Sequence, residues 1–207
     1  MKALLATHNQ GKIKRYQALF ADLKDLELVT LTDLKITVKV DEPFATAREN
    51  SIHKAKYYGQ LSGLATIAID EAVQTNFLPD NEQPGVFVRR FKKDRELTDE
   101  EVLLIWQEIF TAYPQTEHQF IWDFSLSYYD PVIEEAQTAS AVQINTVAPV
   151  FSTIINPGYP MSSFLMPLGF EKPYAELTDA EKLMVDQKNL APFVEFVAKI
   201  VNEKATD

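Results

Sequence analysis

Hydrophobic and polar positions along this chain fall into two alternating periods. Lys2–Thr7 (KALLAT) is a short apolar run, predicted to be a buried strand, and His8–Gly11 is a polar turn. Ile13, Tyr16, Gln17, Leu19, Phe20 and Leu23 then recur at helical spacing. Strand, turn and helix in that order open an α/β fold. Leu26–Leu31 (LELVTL) predicts a second strand, and Lys35–Val40 (KITVKV) alternates and extends into a third. Thr46-Ala-Arg-Glu49 is a capping-box pattern, so the next helix begins there, runs to about Leu61 and stops near Gly63. Ala65–Ile69 (ATIAI) is a continuous apolar run of the kind found in buried strands, and it delivers Asp70 and Glu71 at its C-terminal end.

Farther on, Thr98–Tyr113 predicts an amphipathic helix stopped by Pro114. Gln119–Tyr129 and Ala136–Val147 predict two long strands joined through Asp130-Pro131. The aromatics of Phe120–Tyr129 alternate, which favours a core strand over an exposed surface. Pro149–Pro173 is rich in Pro and Ser and reads as a long loop. Thr178-Asp-Ala-Glu181 is a second capping box, and Leu190–Val201 closes the chain as a helix, with Pro192 in its first turn. No repeat or linker interrupts residues 1–207, which points to one domain.

Composition narrows the function classes. With 20 basic and 30 acidic residues the net charge is −10, which argues against a binder of nucleic-acid polymers. There is no Cys, so disulfides, thiolate metal sites and Cys nucleophiles are excluded. Three His without shared spacing give no zinc signature, and no Ser has a GxSxG context. The N-terminus turns polar too soon for a signal peptide, and no window has the ~20 apolar residues of a membrane span. A cytoplasmic protein is therefore expected. Gly numbers only 6, which disfavours a long Gly-rich phosphate loop.

Three clusters carry candidate chemistry. Thr7-His8-Asn9-Gln-Gly-Lys12 lies between a strand and a helix, where backbone N–H groups and the helix dipole favour an anion and Lys12 adds a charge. The spacing is not that of a Walker A loop, and the same residues also read as a solvated turn. Asp41, Glu42 and Glu49 lie just before or within a helix start, and Asp70 and Glu71 at a strand end. Such oxygen ligands suit Mg²⁺, which takes one or two carboxylates and completes its shell with water and phosphate. The plainer readings are a helix cap for Glu49 and a strand boundary for Asp70 and Glu71. Arg89-Arg90-Phe-Lys-Lys93 could hold phosphates or be an ordinary charged loop.

Taken in order, these segments resemble the noncanonical purine nucleoside-triphosphate pyrophosphatases, or inosine triphosphatases. Thr7-His-Asn9-Gln-Gly11-Lys12 is similar to that family's T-x-N-x-G-K loop, and Glu42 through Glu49-Asn50 and Lys54-Ala-Lys56 to its acidic segment and following helix. Ala65–Asp70 resembles its central strand, Pro84-Gly85 with Arg90 its P-G-x-x-x-x-R stretch, and Ala175–Lys182 its A-E-L-x-x-x-E-K segment. The resemblance implies an elongated two-lobed α/β fold with a long mixed sheet flanked by helices and a groove between the lobes. It also implies a homodimer that uses Mg²⁺ to hydrolyse a nucleoside triphosphate to the monophosphate and pyrophosphate.

By position, Thr7, His8, Asn9, Lys12 and Arg90 would contact the substrate, with Lys12 also supplying charge for catalysis. Glu42, Glu49, Asp70 and Glu71 would surround the metal, and Asp70 would bind it or take the proton of the attacking water. The departures are specific. Ile69-Asp70-Glu71-Ala72 stands for Asp-Asp-Ser-Gly, Arg15 for a glutamate, and Asp186-Gln187-Lys188 for the Ser-His-Arg that holds the purine. Lys188 remains the substrate-contact candidate there. These changes predict altered base preference, since polar specificity comes from paired hydrogen bonds. The alternative is a degenerate member that binds a nucleotide or a protein partner without turnover.

Overall fold

A computed structural model describes residues 1–92, 95–114 and 117–206 of the chain. One mixed sheet has the strand order β2-β1-β3-β4-β5-β6. Its strands are β1 (Lys2–Leu5), β2 (Glu27–Thr30), β3 (Ala65–Thr75), β4 (Gln119–Asp130), β5 (Glu135–Val147) and β6 (Leu165–Pro167). The helices are α1 (Gln10–Leu19), α2 (Ala47–Ser62), α3 (Asp99–Ala112), α4 (Asp179–Asn189) and α5 (Ala191–Thr206). β1 runs parallel to both β2 and β3, whereas β3 to β6 pair antiparallel.

Strand alternation divides the core between the two faces of the sheet. Ala3 and Leu5 of β1 and Ile67 and Ile69 of β3 pack with Ile13, Tyr16 and Leu19 of α1 and Phe193 and Val197 of α5. Leu4, Ala6 and Ala68 face the other way, against Ala55 and Tyr58 of α2. A third cluster lies at the far end of β3 and β4, where Trp106 of α3 stacks on Phe91 and meets Phe120 edge-on at 4.7 Å. Two of the clusters thus flank the sheet, one on each face, and the third lies along β3 and β4 beyond them.

Capping chemistry sets the helix ends. Thr98 and Thr178 each form a complete capping box, with Glu101 and Glu181. α2 starts on the Thr46 hydroxyl and stops at Gly63, whose φ of +70° suits glycine. Four features differ from the sequence reading. The Thr46–Glu49 capping box is half formed, the Glu49 carboxylate taking the Thr46 hydroxyl and not its backbone N–H. Lys35–Val40 is irregular, because Tyr58 and His8 bond its backbone in place of a neighbouring strand. The Pro149–Pro173 loop contains β6, too short at three residues to show a period. β3 does not stop at Ile69 but runs to Thr75, because β4 continues to pair with it. Among the described residues no helix is long and apolar enough to cross a membrane.

Candidate active site

The site forms where β1 ends and β3 continues. β1 and β3 pair up to Leu5 opposite Ile67, and the Ala6 N–H makes a last bond to the Ile67 carbonyl at 2.8 Å. From Ala68 to Ala72 β3 pairs with β4 alone, with Asp70 opposite Ser125 and Glu71 opposite Phe124, and the Val73 backbone then also bonds Gly85 on the other side. The chain leaving β1 turns through Thr7–Asn9 into α1 beside this half-open stretch. Asp70 and Glu71 therefore lie inside a strand, and alternation sends them to opposite faces, Asp70 toward α2 and Glu71 toward α1. The two carboxylates thus leave opposite faces of the strand, whereas the sequence reading grouped them together.

On the α2 side, Lys54 gathers the acids. Its Nζ stands 2.8 Å from Asp70 Oδ1, 2.8 Å from Glu42 Oε1 and 2.8 Å from the Ile69 carbonyl. Burial pushes the Asp70 carboxyl above its ordinary range; Lys54 and Lys12 pull it back, and Glu42 adds to the rise. Burial also acts on Glu42, but there Lys54, helped by Lys12 and Arg90, wins and holds the carboxyl low. Lys54 would lose affinity for its proton through burial, yet Asp70 and Glu42 more than offset this. Lys12, Glu42, Lys54 and Asp70 thus share one electrostatic field, which Arg90 enters at Glu42.

The buried face of α2 also holds the extended segment that carries Glu42. The Tyr58 hydroxyl donates to the Val38 carbonyl at 2.9 Å and accepts the Val40 N–H at 3.2 Å. The Asn50 side chain accepts the Phe44 N–H and donates to the Phe44 carbonyl, each at 3.1 Å. His8, read as a substrate contact, lies with Nε2 3.0 Å from the Val38 carbonyl and serves this packing.

The turn into α1 is already capped. Asn9 Oδ1 accepts from Gly11 N–H at 2.8 Å and Lys12 N–H at 3.2 Å, and Thr7 Oγ1 accepts from Asn9 N–H at 3.2 Å. The Asn9, Gly11 and Lys12 amides are satisfied within the turn, and the Asn9 side-chain amide and the Lys12 ammonium are groups it can offer an anion. Lys12 Nζ lies 3.2 Å from Glu71 Oε1, a buried oxygen that accepts no hydrogen bond.

Of the remaining candidates, Glu49 and Lys188 make no contact with this cluster, and Arg90 joins it only through its charge at Glu42. Glu49 is exposed and accepts the Thr46 hydroxyl at 2.6 Å, a helix cap. Arg90 is exposed, its guanidinium 5.4 Å from the centre of the Phe87 ring. Lys93 lies outside the described residues. Lys188 is exposed on α4, two positions and hence about 200° around the helix from buried Asp186. The face Asp186 occupies belongs to Arg15, whose Nε and Nη2 donate to Asp186 Oδ1 at 3.0 and 2.7 Å.

Sequence reasoning passed over Lys54, Arg15 and Asp186 as site-forming residues. For Lys54 a signal was present. Ala47, Ser51, Lys54, Ala55 and Tyr58 make the buried stripe of α2, and a lysine within such a stripe needs a buried anion. Among the described residues no three or more His, Asp or Glu side chains are grouped to hold a metal. Glu42 and Asp70, two hard oxygen donors on a common cation, match the two-carboxylate set that Mg²⁺ uses when water and phosphate supply its other ligands.

The chain resembles known proteins in both sequence and fold. A dITP/XTP pyrophosphatase of Photobacterium profundum is 35% identical over 102 residues, 49% of each chain. One of Vibrio vulnificus is 33% identical over 111 residues, 54% of this chain and 52% of its own. The matched stretches thus span about half the length of these curated relatives. A HAM1 protein from Coxiella burnetii superposes with a TM-score of 0.76 over 98% of this chain and 99% of its own, at 21% identity. The Staphylococcus aureus Ham1 protein does so at 0.71, over 99% and 100%, at 17% identity. These two likenesses show the fold, and a family model matching residues 3–193 covers the strands, the turn and the carboxylates alike: the chain belongs to the Ham1 family.

Proposed function

We propose that this chain hydrolyses a nucleoside triphosphate, of the noncanonical purine class, to the monophosphate and pyrophosphate with Mg²⁺. The observation that carries this reading is the meeting of Lys12, Glu42, Lys54 and Asp70 at the edge where β1 ends. Relatives matched over half their length bear the name dITP/XTP pyrophosphatase, which supports the same substrate class. Glu42 and Asp70 would hold the cation, which neutralises phosphate oxygens and aligns the triphosphate. The Lys12 ammonium and the Asn9 amide meet phosphate charge, with Arg90 on the Glu42 side. Asp70, with its raised pKa, takes the proton of the attacking water, and Lys54 keeps that carboxylate ionised and oriented. The working assembly is a homodimer, and the substrate is a free nucleotide.

The test is pyrophosphate release with Mg²⁺ from inosine, xanthosine, deoxyinosine, deoxyuridine and the four common triphosphates. Turnover that falls by on the order of 10²–10⁴ in Asp70→Asn, with the fold kept, is the expected result. Nucleotide bound with no turnover on any of them would overturn the hydrolase reading.

A further inference from the structure

The segment between β5 and β6 returns over the first turn of α1. Asn156-Pro157-Gly158-Tyr159 closes tightly, the Tyr159 N–H donating to the Asn156 carbonyl at 2.8 Å. Proline then glycine at its centre, with φ +80° at Gly158, is the chemistry of a type II turn. Two glycines let this turn meet the α1 cap. A β-carbon on Gly158 would stand 3.1 Å from both Oδ1 and Nδ2 of Asn9, and one on Gly11 would stand 2.4 Å from the Tyr159 ring.

The same turn is held on its other side by the start of α3. The Gly158 N–H donates to Asp99 Oδ2 at 3.1 Å, while Asp99 Oδ1 pairs with Arg89. Asp99 is the first residue of α3, but that helix is capped by Thr98 and Glu101. Its carboxylate is therefore engaged by groups outside the helix.

We propose that Asp99 is a positioning residue for the phosphate-facing turn. It fixes Gly158; Gly158 and Tyr159 fix Asn9 and Gly11; and these set where the Asn9 amide and the Lys12 ammonium stand. The inference rests on the assignment of Asn9 and Lys12 to the triphosphate under Proposed function. The start of α3 thereby sets affinity at the Thr7–Lys12 turn through the 156–159 turn.

The test compares full-length wild type, Asp99→Ala, Asp99→Asn and Gly158→Ala. Amide hydrogen exchange is read at Gly11, Lys12 and Gly158, and pyrophosphate release is measured with Mg²⁺ and inosine triphosphate. Asp99→Ala should speed exchange at Gly11 and Lys12 about tenfold and raise KM about tenfold, with kcat changed by less than about threefold. Asp99→Asn, which keeps an oxygen for the Gly158 N–H, should recover most of both. Gly158→Ala, which presses on Asn9 from the turn itself and leaves the Asp99 side chain in place, should reproduce the defect. Faster exchange confined to Gly158, with Gly11, Lys12 and KM at wild-type values, would overturn the inference; so would an Asp99→Ala defect in kcat that Asn does not rescue. If Asp99→Ala fails to fold, Gly158→Ala decides by the same readouts. If wild type releases no pyrophosphate, the hydrolase reading fails, and exchange at Gly11 and Lys12 still decides this one.

Discussion

Lys54 Nζ stands 2.8 Å from Asp70 Oδ1, in an ion pair whose two side chains are each 9% exposed. Such a pair has its largest effect when one partner is removed, because the other stays behind charged and out of water. Lys54→Met should cost about 3–5 kcal/mol at pH 7. Burial already raises the Asp70 carboxyl, and Lys54 is the strongest pull against that rise, so the variant raises it further. A base must be ionised to take a proton, so the acid limb of the rate should move up by about one pH unit or more. The folded variant then binds a proton that the unfolded chain releases, so its stability deficit should shrink as pH falls from 7 to 5. Urea unfolding at the two pH values and a pH–rate profile check both; an unmoved acid limb would remove Asp70 as the titrating base.

Local chemistry was legible in the sequence, and distant pairing was not. The Thr46 N-cap, the Thr178–Glu181 capping box and the left-handed stop at Gly63 act within a few residues, so the sequence pattern displays them. The order of motifs was enough to bring Lys12, Glu42 and Asp70 to one place. The length of β3 was hidden, because two carboxylates after an apolar run look like a strand end, and only pairing with β4 carries the strand to Thr75. That hidden continuation is what turns Glu71 away from Asp70. Arg15 and Asp186 lie on separate helices, and no local spacing links them.

Arg15 and Asp186 make a second buried pair, with Nη2 to Oδ1 at 2.7 Å and side chains 11% and 5% exposed. Gln143 Oε1 accepts from Arg15 at 3.3 Å, and the Tyr174 hydroxyl donates to Asp186 Oδ2 at 3.3 Å. Asp186→Ala should cost about 3–5 kcal/mol, whereas Arg15→Met with Asp186→Leu should lie within about 2 kcal/mol of wild type. A double-mutant cycle by urea unfolding measures this. A single variant costing as little as the double would show that the charges are not coupled.

Glu181 predicts a stability term in acid. Its carboxylate accepts the Thr178 N–H at 2.7 Å and hydroxyl at 2.9 Å and pairs with Lys172 at 3.0 Å. The Thr178 N–H, followed by Lys172, lowers its pKa from 4.5 to about 2. A carboxyl depressed in the folded state stabilises above its unfolded pKa, and that contribution disappears as pH falls from about 4.5 through about 2. Glu181→Gln keeps an oxygen for the cap but does not titrate. The Tm difference between wild type and this variant should therefore narrow over that window, and a constant difference would refute the assignment.

Glu42 and Glu49 lie close in the chain but have different work, and the cation should tell them apart. Glu42 Oε1 is 2.8 Å from Lys54 in the shared field of Lys12 and Arg90, whereas exposed Glu49 accepts the Thr46 hydroxyl at the start of α2. Glu42→Gln removes one of two carboxylates from the proposed cation set, so the Mg²⁺ needed for half-maximal rate should rise on the order of tenfold or more. Glu49→Gln keeps an acceptor for the hydroxyl and lies outside that set, so it should shift the Mg²⁺ requirement by less than about twofold and stability by under about 1 kcal/mol. Titrating Mg²⁺ against pyrophosphate release for the two variants decides the matter. A larger shift from Glu49 than from Glu42 would mean that the ion sits at the mouth of α2, and Asp70 would then lie too deep to be its ligand.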